Sequence, residues 1–142
     1  MILFDVNVLV NAHVTGQTHR AVATELLERT LAGPAPFALS ELVLSAFVRI
    51  TTHPRALVSP TRLPDALAFC RALREHPGAH VVAPGARHWS IFERLCMAVE
   101  AKGSLIPDAY LAALAIEHGC EWISFDRDFA RFPGLRWRSP LG

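Results

Sequence analysis

Four acidic residues stand where carboxylates can act together. Asp5 and Asp126 each follow directly on an apolar run, in Leu3-Phe4-Asp5 and Ser124-Phe125-Asp126. Glu41 follows Leu39-Ser40, and Asp108 comes just after Leu105-Ile106-Pro107. The chain has only five aspartates, Asp5, Asp65, Asp108, Asp126 and Asp128, so their recurrence behind apolar segments is a pattern rather than a consequence of abundance. Carboxylates brought close together repel, which raises some of their pKa values or calls for a cation. A hard cation with oxygen ligands, Mg²⁺ or Mn²⁺, suits an all-carboxylate set. Such an ion binds a phosphate oxygen and acidifies a bound water, which is the chemistry of phosphodiester hydrolysis.

Each residue also has a plainer account. Asp108 and Glu41 fall in first turns of expected helices, where acids favour the dipole. Asp126 suits the cap of a short helix over 126–131, with Asp128 a first-turn acid or a support for the site, and Asp65 is a helix-start acid. Asp5 is harder to explain this way, because a carboxylate ending a core strand needs a partner. Asn7 either orients Asp5 or caps the segment after it. Ser124 orients a metal ligand, binds phosphate, or is simply a strand serine. Arg49 and Arg55, flanking Thr51-Thr52-His53-Pro54, either meet RNA phosphates or decorate a solvated helix end. His13 and His19 lack zinc spacing and read as local or surface residues. Trp89, Trp122 and Trp137 lie in apolar patterns and read as core.

These side chains need elements to hold them. Ile2–Val6, Phe37–Leu39, His80–Ala83 and Trp122–Phe125 read as short strands, with Leu135–Arg138 a weaker fifth. Helical spacing of apolar residues recurs over His19–Leu31, closed by Gly33-Pro34, and again after Ser40, a good N-cap. A further helix starts at Pro64, its core side drawn from Leu67, Ala68, Cys70, Ala72 and Leu73, and ends at His76-Pro77-Gly78. Trp89, Phe92, Leu95, Cys96 and Val99 mark another, and 107–118 a last one with proline at its start and Gly119 past its end. Strands alternating with helices give an α/β fold: a mostly parallel sheet of four to five strands flanked by helices, in one domain over 1–142. Ligands of such sheets sit beyond the carboxyl ends of the strands, where these acids stand.

Bulk properties narrow the field. With 142 residues, 51% hydrophobic and 19% charged, the chain can bury a core and is not of the disordered class. A formal net charge of +1 gives no global basic field for long nucleic acid, but leaves room for a local basic rim. Cys70, Cys96 and Cys120 are odd in number and far apart, which disfavours a disulfide framework or a zinc knuckle. No secretory leader or membrane-spanning run is visible, so the cytoplasm is the expected location and no membrane is expected as a partner.

The motifs together resemble a known family. Leu3-Phe4-Asp5-Val6-Asn7-Val8-Leu9-Val10, Ser40-Glu41-Leu42, Pro107-Asp108-Ala109 and Ser124-Phe125-Asp126-Arg127-Asp128-Phe129, followed by Phe132-Pro133-Gly134-Leu135, are similar in order and content to PIN-domain ribonucleases. The branch they resemble is the VapC toxins of prokaryotic toxin–antitoxin pairs, and Phe47–Arg55 looks typical of part of it. The resemblance implies a single PIN-like domain and Mg²⁺- or Mn²⁺-dependent endoribonuclease activity leaving a 3′-hydroxyl. It implies Asp5 and Asp108 as main metal ligands, Glu41 and Asp126 completing the pocket directly or through water, and Asp128 as an accessory acid. A homodimer, a small antitoxin that blocks the site, and a tRNA or rRNA loop as substrate are implied with it. Three other readings compete. A haloacid dehalogenase-like phosphatase needs a second aspartate where Asn7 stands and a placed lysine, for which Lys102 is the sole candidate. A PIN nuclease of RNA processing and a non-enzymatic binding module complete the set.

Overall fold

A computed structural model describes residues 1–55 and 57–142. The strands are β1 (Ile2–Phe4), β2 (Phe37–Ser40), β3 (Ala79–Val82), β4 (Glu121–Ile123) and β5 (Trp137–Arg138). They form one sheet in the order β3-β2-β1-β4-β5, every pairing parallel. The chain moves outward from β1 to β2 and β3, then returns to the other side of β1 with β4. The strand order therefore reverses at the β1–β4 junction, which is where a ligand crevice forms in open parallel sheets. Leu3, Phe37, Ala38, Trp122 and Ile123 are buried on these central strands, whereas Val81 on edge strand β3 is exposed.

Among the described residues six helices cover the sheet: α1 (Val6–His13), α2 (Arg20–Ala32), α3 (Glu41–Thr52), α4 (Leu63–Glu75), α5 (His88–Val99) and α6 (Leu105–Glu117). A 3₁₀ helix spans Arg127–Arg131. Helix α1 packs on α2 and α3, α3 on α4, and α5 on α6. The buried face of α6 is Ala109, Ala112, Ala113, Leu114 and Ala115, and its four alanines let the backbone lie close to β4. Glu117 near its end accepts from the Gly85 and Arg87 amides at 2.8 and 3.0 Å, tying the β3–α5 connection down beside it.

Three sequence expectations need correction. The first strand stops at Phe4, and Val6 already belongs to α1, a helix that the run Val6, Val8, Val10 disguises because β-branched residues favour strands. Burial of Val8, Leu9 and Val10 outweighs that preference. On α4 the buried face is Ala66, Cys70 and Leu73, while Leu67, Ala68 and Ala72 face solvent. Trp89 is not core: it lies 60% exposed in the first turn of α5, its indole N–H donated to Glu93. Trp122 is fully buried, and Trp137 is half-buried on β5. His13 is a local residue, its ring edge-on to Phe47 and Phe69. The cysteines are free, Cys70 and Cys120 buried and Cys96 half-buried.

Candidate metal centre

Asp5 is the hinge of the site. Its amide donates to the Ile123 carbonyl at 2.9 Å, continuing the β1–β4 ladder one residue past the strand. Its side chain then caps α1, with Oδ1 accepting from the Val6 amide at 2.7 Å. Strand end and helix start are thus one residue, and its carboxylate is held at the carboxyl edge of the sheet with only 6% exposure. Oδ2 accepts from the Ser124 hydroxyl at 2.6 Å. Burial pushes the Asp5 carboxyl above its ordinary pKa, and the Asp126 charge adds to this, against the bonds from Ser124 and Val6 that favour the anion.

Ser124 is fully buried at the centre of the network. Its oxygen accepts from Asn7 Nδ2 at 3.1 Å and from the Asp126 amide at 3.0 Å while it donates to Asp5. Among the described residues, Asn7 makes no hydrogen bond to Asp5. It works through Ser124, and its Oδ1 accepts from the Phe125 amide at 3.2 Å. Asp126 caps the 3₁₀ helix through an Oδ1 bond from the Asp128 amide at 2.9 Å. A capping role and a place in the site are therefore compatible, because the second carboxylate oxygen remains.

Asp5, Asp108 and Asp126 line one cleft of about 730 Å³, together with Asn7 and Arg49. Its other walls are apolar, including Leu42 and Val43 from α3, Phe92 from α5 and Ile106 from α6. That apolar wall carried no signal in the sequence, because its residues come from three separate helices. Asp108, in the first turn of α6, is pushed up to about 6, first by burial and then by the charges of Asp126, Asp5 and Asp128. Like charges focused on one half-buried carboxylate are what a bound cation relieves. Among the described residues no three His, Cys, Asp or Glu side chains close into a ready-made metal cage. The donor set nonetheless fits a hard divalent ion: three carboxylates, all oxygen, lining one open cleft.

The remaining candidates lie further out. Glu41 sits at the carboxyl end of β2 as the first residue of α3, but its exposed side chain pairs with Arg74 of α4 at 3.2 Å and does not line the cleft. Asp128 is exposed beside Asp126, within electrostatic reach of Asp108. Arg49 reaches the cleft from the last turn of α3, whereas Arg55 lies beyond the helix end, outside it. Lys102 does not line the cleft, so the phosphatase reading finds no lysine there.

Residues 2–135 match the PIN domain family. Ribonuclease VapC43 of Mycobacterium tuberculosis is 44% identical over 141 residues, spanning 99% of this chain and 96% of its own length. The chain belongs to the PIN domain family and to its VapC branch. Solved structures with the same fold include a toxin–antitoxin complex from Klebsiella pneumoniae, with a TM-score of 0.65 at 21% identity over 99% of this chain and 98% of that one. Another is VapC20 of Mycobacterium tuberculosis, described as a sarcin–ricin loop cleaving toxin, with a TM-score of 0.66 at 20% identity over 96% and 99%.

Proposed function

We propose that the protein is a Mg²⁺-dependent endoribonuclease, with Mn²⁺ able to substitute, acting as the toxin of a type II toxin–antitoxin pair. The observation that carries this reading is the convergence of Asp5, Asp108 and Asp126 on one cleft, with Asp108 pushed up to about 6 by burial and by its acidic neighbours. Full-length similarity to a VapC ribonuclease supports the choice of RNA.

Asp5, Asp108 and Asp126 are the residues that would hold the ion. A divalent cation there supplies Lewis acidity toward a phosphodiester oxygen and acidifies water. The protein's part is orientation. Ser124 and Asn7 lock the Asp5 carboxylate, the Asp126 amide and the Phe125 amide into one frame. Glu41 joins the acidic set by rotating off Arg74, a small cost because an exposed ion pair is worth about 0–1 kcal/mol. Asp128 adds to the negative field felt at Asp108. Arg49 neutralises a phosphate next to the scissile one, and Arg55 meets the backbone further along. Cleavage leaves a 3′-hydroxyl. An exposed loop of tRNA or rRNA is the substrate class, since single-stranded loops offer an accessible backbone. A small antitoxin protein covers the cleft, as the toxin–antitoxin fold neighbour suggests, and the toxin works as a homodimer in the cytoplasm.

RNA cleavage by the purified protein in Mg²⁺, in EDTA and with Asp5→Asn tests this. Cutting that needs Mg²⁺ and vanishes in the folded variant supports it. Wild-type cutting in EDTA, or undiminished cutting by Asp5→Asn, contradicts it.

A further inference from the structure

The α1–α2 connection returns to the acid site by way of a residue that does not line the cleft. Asn11, one turn after Asn7 on α1, donates from Nδ2 to the Asn7 carbonyl at 2.7 Å. Its Oδ1 accepts from the His19 amide at 3.1 Å. The His19 ring then lies flat on the Phe125 ring, with centroids 4.5 Å apart and planes 13° apart. Phe125 is held in turn by the bond from its amide to Asn7 Oδ1. Asn7, Asn11, His19 and Phe125 thus form a closed circuit, and Phe125 is the residue between Ser124 and Asp126.

We propose that His19 is a positioning residue for the acid site: its backbone is held by Asn11, and its ring, stacked on Phe125, steadies that residue and so sets Asp126 against Asp5. The proposal rests on the metal-dependent ribonuclease reading above. Strand β4 ends at Ile123 and the 3₁₀ helix starts at Arg127, so Ser124–Asp126 is a bend outside both elements. Its backbone is pinned at the Ser124, Phe125 and Asp126 amides, by the Arg138 carbonyl, Asn7 and Ser124 Oγ respectively. The partly buried Phe125 ring packs against the core, and the His19 ring stacks on it. Without the His19 face the Phe125 ring keeps only its core contacts, and its shift at that bend would draw the Asn7 amide and the Asp126 carboxylate out of register. Metal sites are sensitive to such outer contacts, whose loss typically costs about 10–100-fold in affinity or activity. The part His19 plays is that of a flat ring. Its ring stacks on Phe125 and His19 is not among the residues lining the cleft, so a planar ring without nitrogens should serve as well.

The test uses the full chain, with Mn²⁺ calorimetry and steady-state RNA cleavage on wild type, His19→Ala, His19→Phe and Asn11→Ala. His19→Ala and Asn11→Ala are expected to weaken Mn²⁺ about tenfold and lower kcat, with KM for RNA within about twofold of wild type. His19→Phe should restore both. Wild-type Mn²⁺ affinity and kcat in His19→Ala would overturn the proposal, even with a lowered Tm, because the residue would then be structural only. A rise in KM alone would overturn it by making His19 an RNA contact, and failure of His19→Phe to restore affinity and kcat would overturn the flat-ring role. Should His19→Ala not fold, Asn11→Ala and His19→Phe still decide. Absence of Mn²⁺ binding and cleavage in wild type would instead sink the ribonuclease reading and this proposal with it, an outcome visible before any variant is made.

Discussion

Ser124 is the residue on which the geometry of the site turns, because one hydroxyl serves Asp5, Asn7 and the Asp126 amide inside a fully buried position. Ser124→Ala leaves two donors and one carboxylate oxygen without their partner. Each buried group left unpaired costs about 1–3 kcal/mol, so chemical denaturation should show a loss in that range or above. Mn²⁺ affinity should fall as well, by about tenfold or more, since Asp5 and Asp126 lose their common anchor. Asp108→Asn should behave in the opposite sense toward folding: it removes a half-buried charge that Asp126, Asp5 and Asp128 repel, so the cation-free protein becomes more stable at pH 7 while RNA cleavage is lost. At this scale the acids were legible because each stands at the end of an apolar run. The His19–Phe125 stack and the route from Asn7 to Asp5 through Ser124 were not. They join residues more than a hundred positions apart, and hydrogen bonds of that kind leave no trace in local spacing.

The elements show where periodicity is informative and where it is not. Helices α2, α3 and α6 follow from their apolar stripes, from Ser40 as N-cap and from Gly33 and Gly119 as stops. Gly119 has φ of 65°, a conformation in which a side chain would be strained, so the stop signal is physical. Helix α1 was hidden by its valines and by its direct junction with β1 at Asp5, which leaves no loop to mark the change of period. On α4 the apolar residues outnumber the buried ones, so sequence alone could not choose the face; contact with α3 chose Ala66, Cys70 and Leu73. Because α1 carries Asn7 and Asn11 and is capped by Asp5, its seating on the core fixes the site. Leu9→Ala, at a fully buried position on α1, should cost about 2–5 kcal/mol in urea denaturation and should also weaken Mn²⁺ binding. Val58→Ala, fully exposed in the α3–α4 connection, should change neither.

At the scale of the whole molecule, the sheet order gathers the acids, and under the proposed reading the charge they concentrate links folding to cation binding. In the cation-free protein Asp5 and Asp108 hold protons in the folded state that the unfolded chain releases near the ordinary carboxylate pKa of about 4. A raised folded pKa means the folded state binds more protons, so their contribution is fully present below pH 4 and declines as pH rises, completing its loss for Asp108 above about 6. Relative to Asp108→Asn, wild type in EDTA should therefore lose about 1–3 kcal/mol between pH 4 and 7, read from denaturation midpoints. Mn²⁺ at pH 7 should reverse that loss, since an ion that binds only the folded state stabilises it.

The most direct measurement is a Mn²⁺ titration of wild type and Asp108→Asn across pH 5 to 8. Three aspartates acting as one cation site predict binding that weakens steeply as pH falls below about 6, levels off above it, and is abolished or severely weakened in a folded Asp108→Asn. Binding that is indifferent to pH across that range, or equally tight in Asp108→Asn, would contradict the assignment of the metal to this cleft.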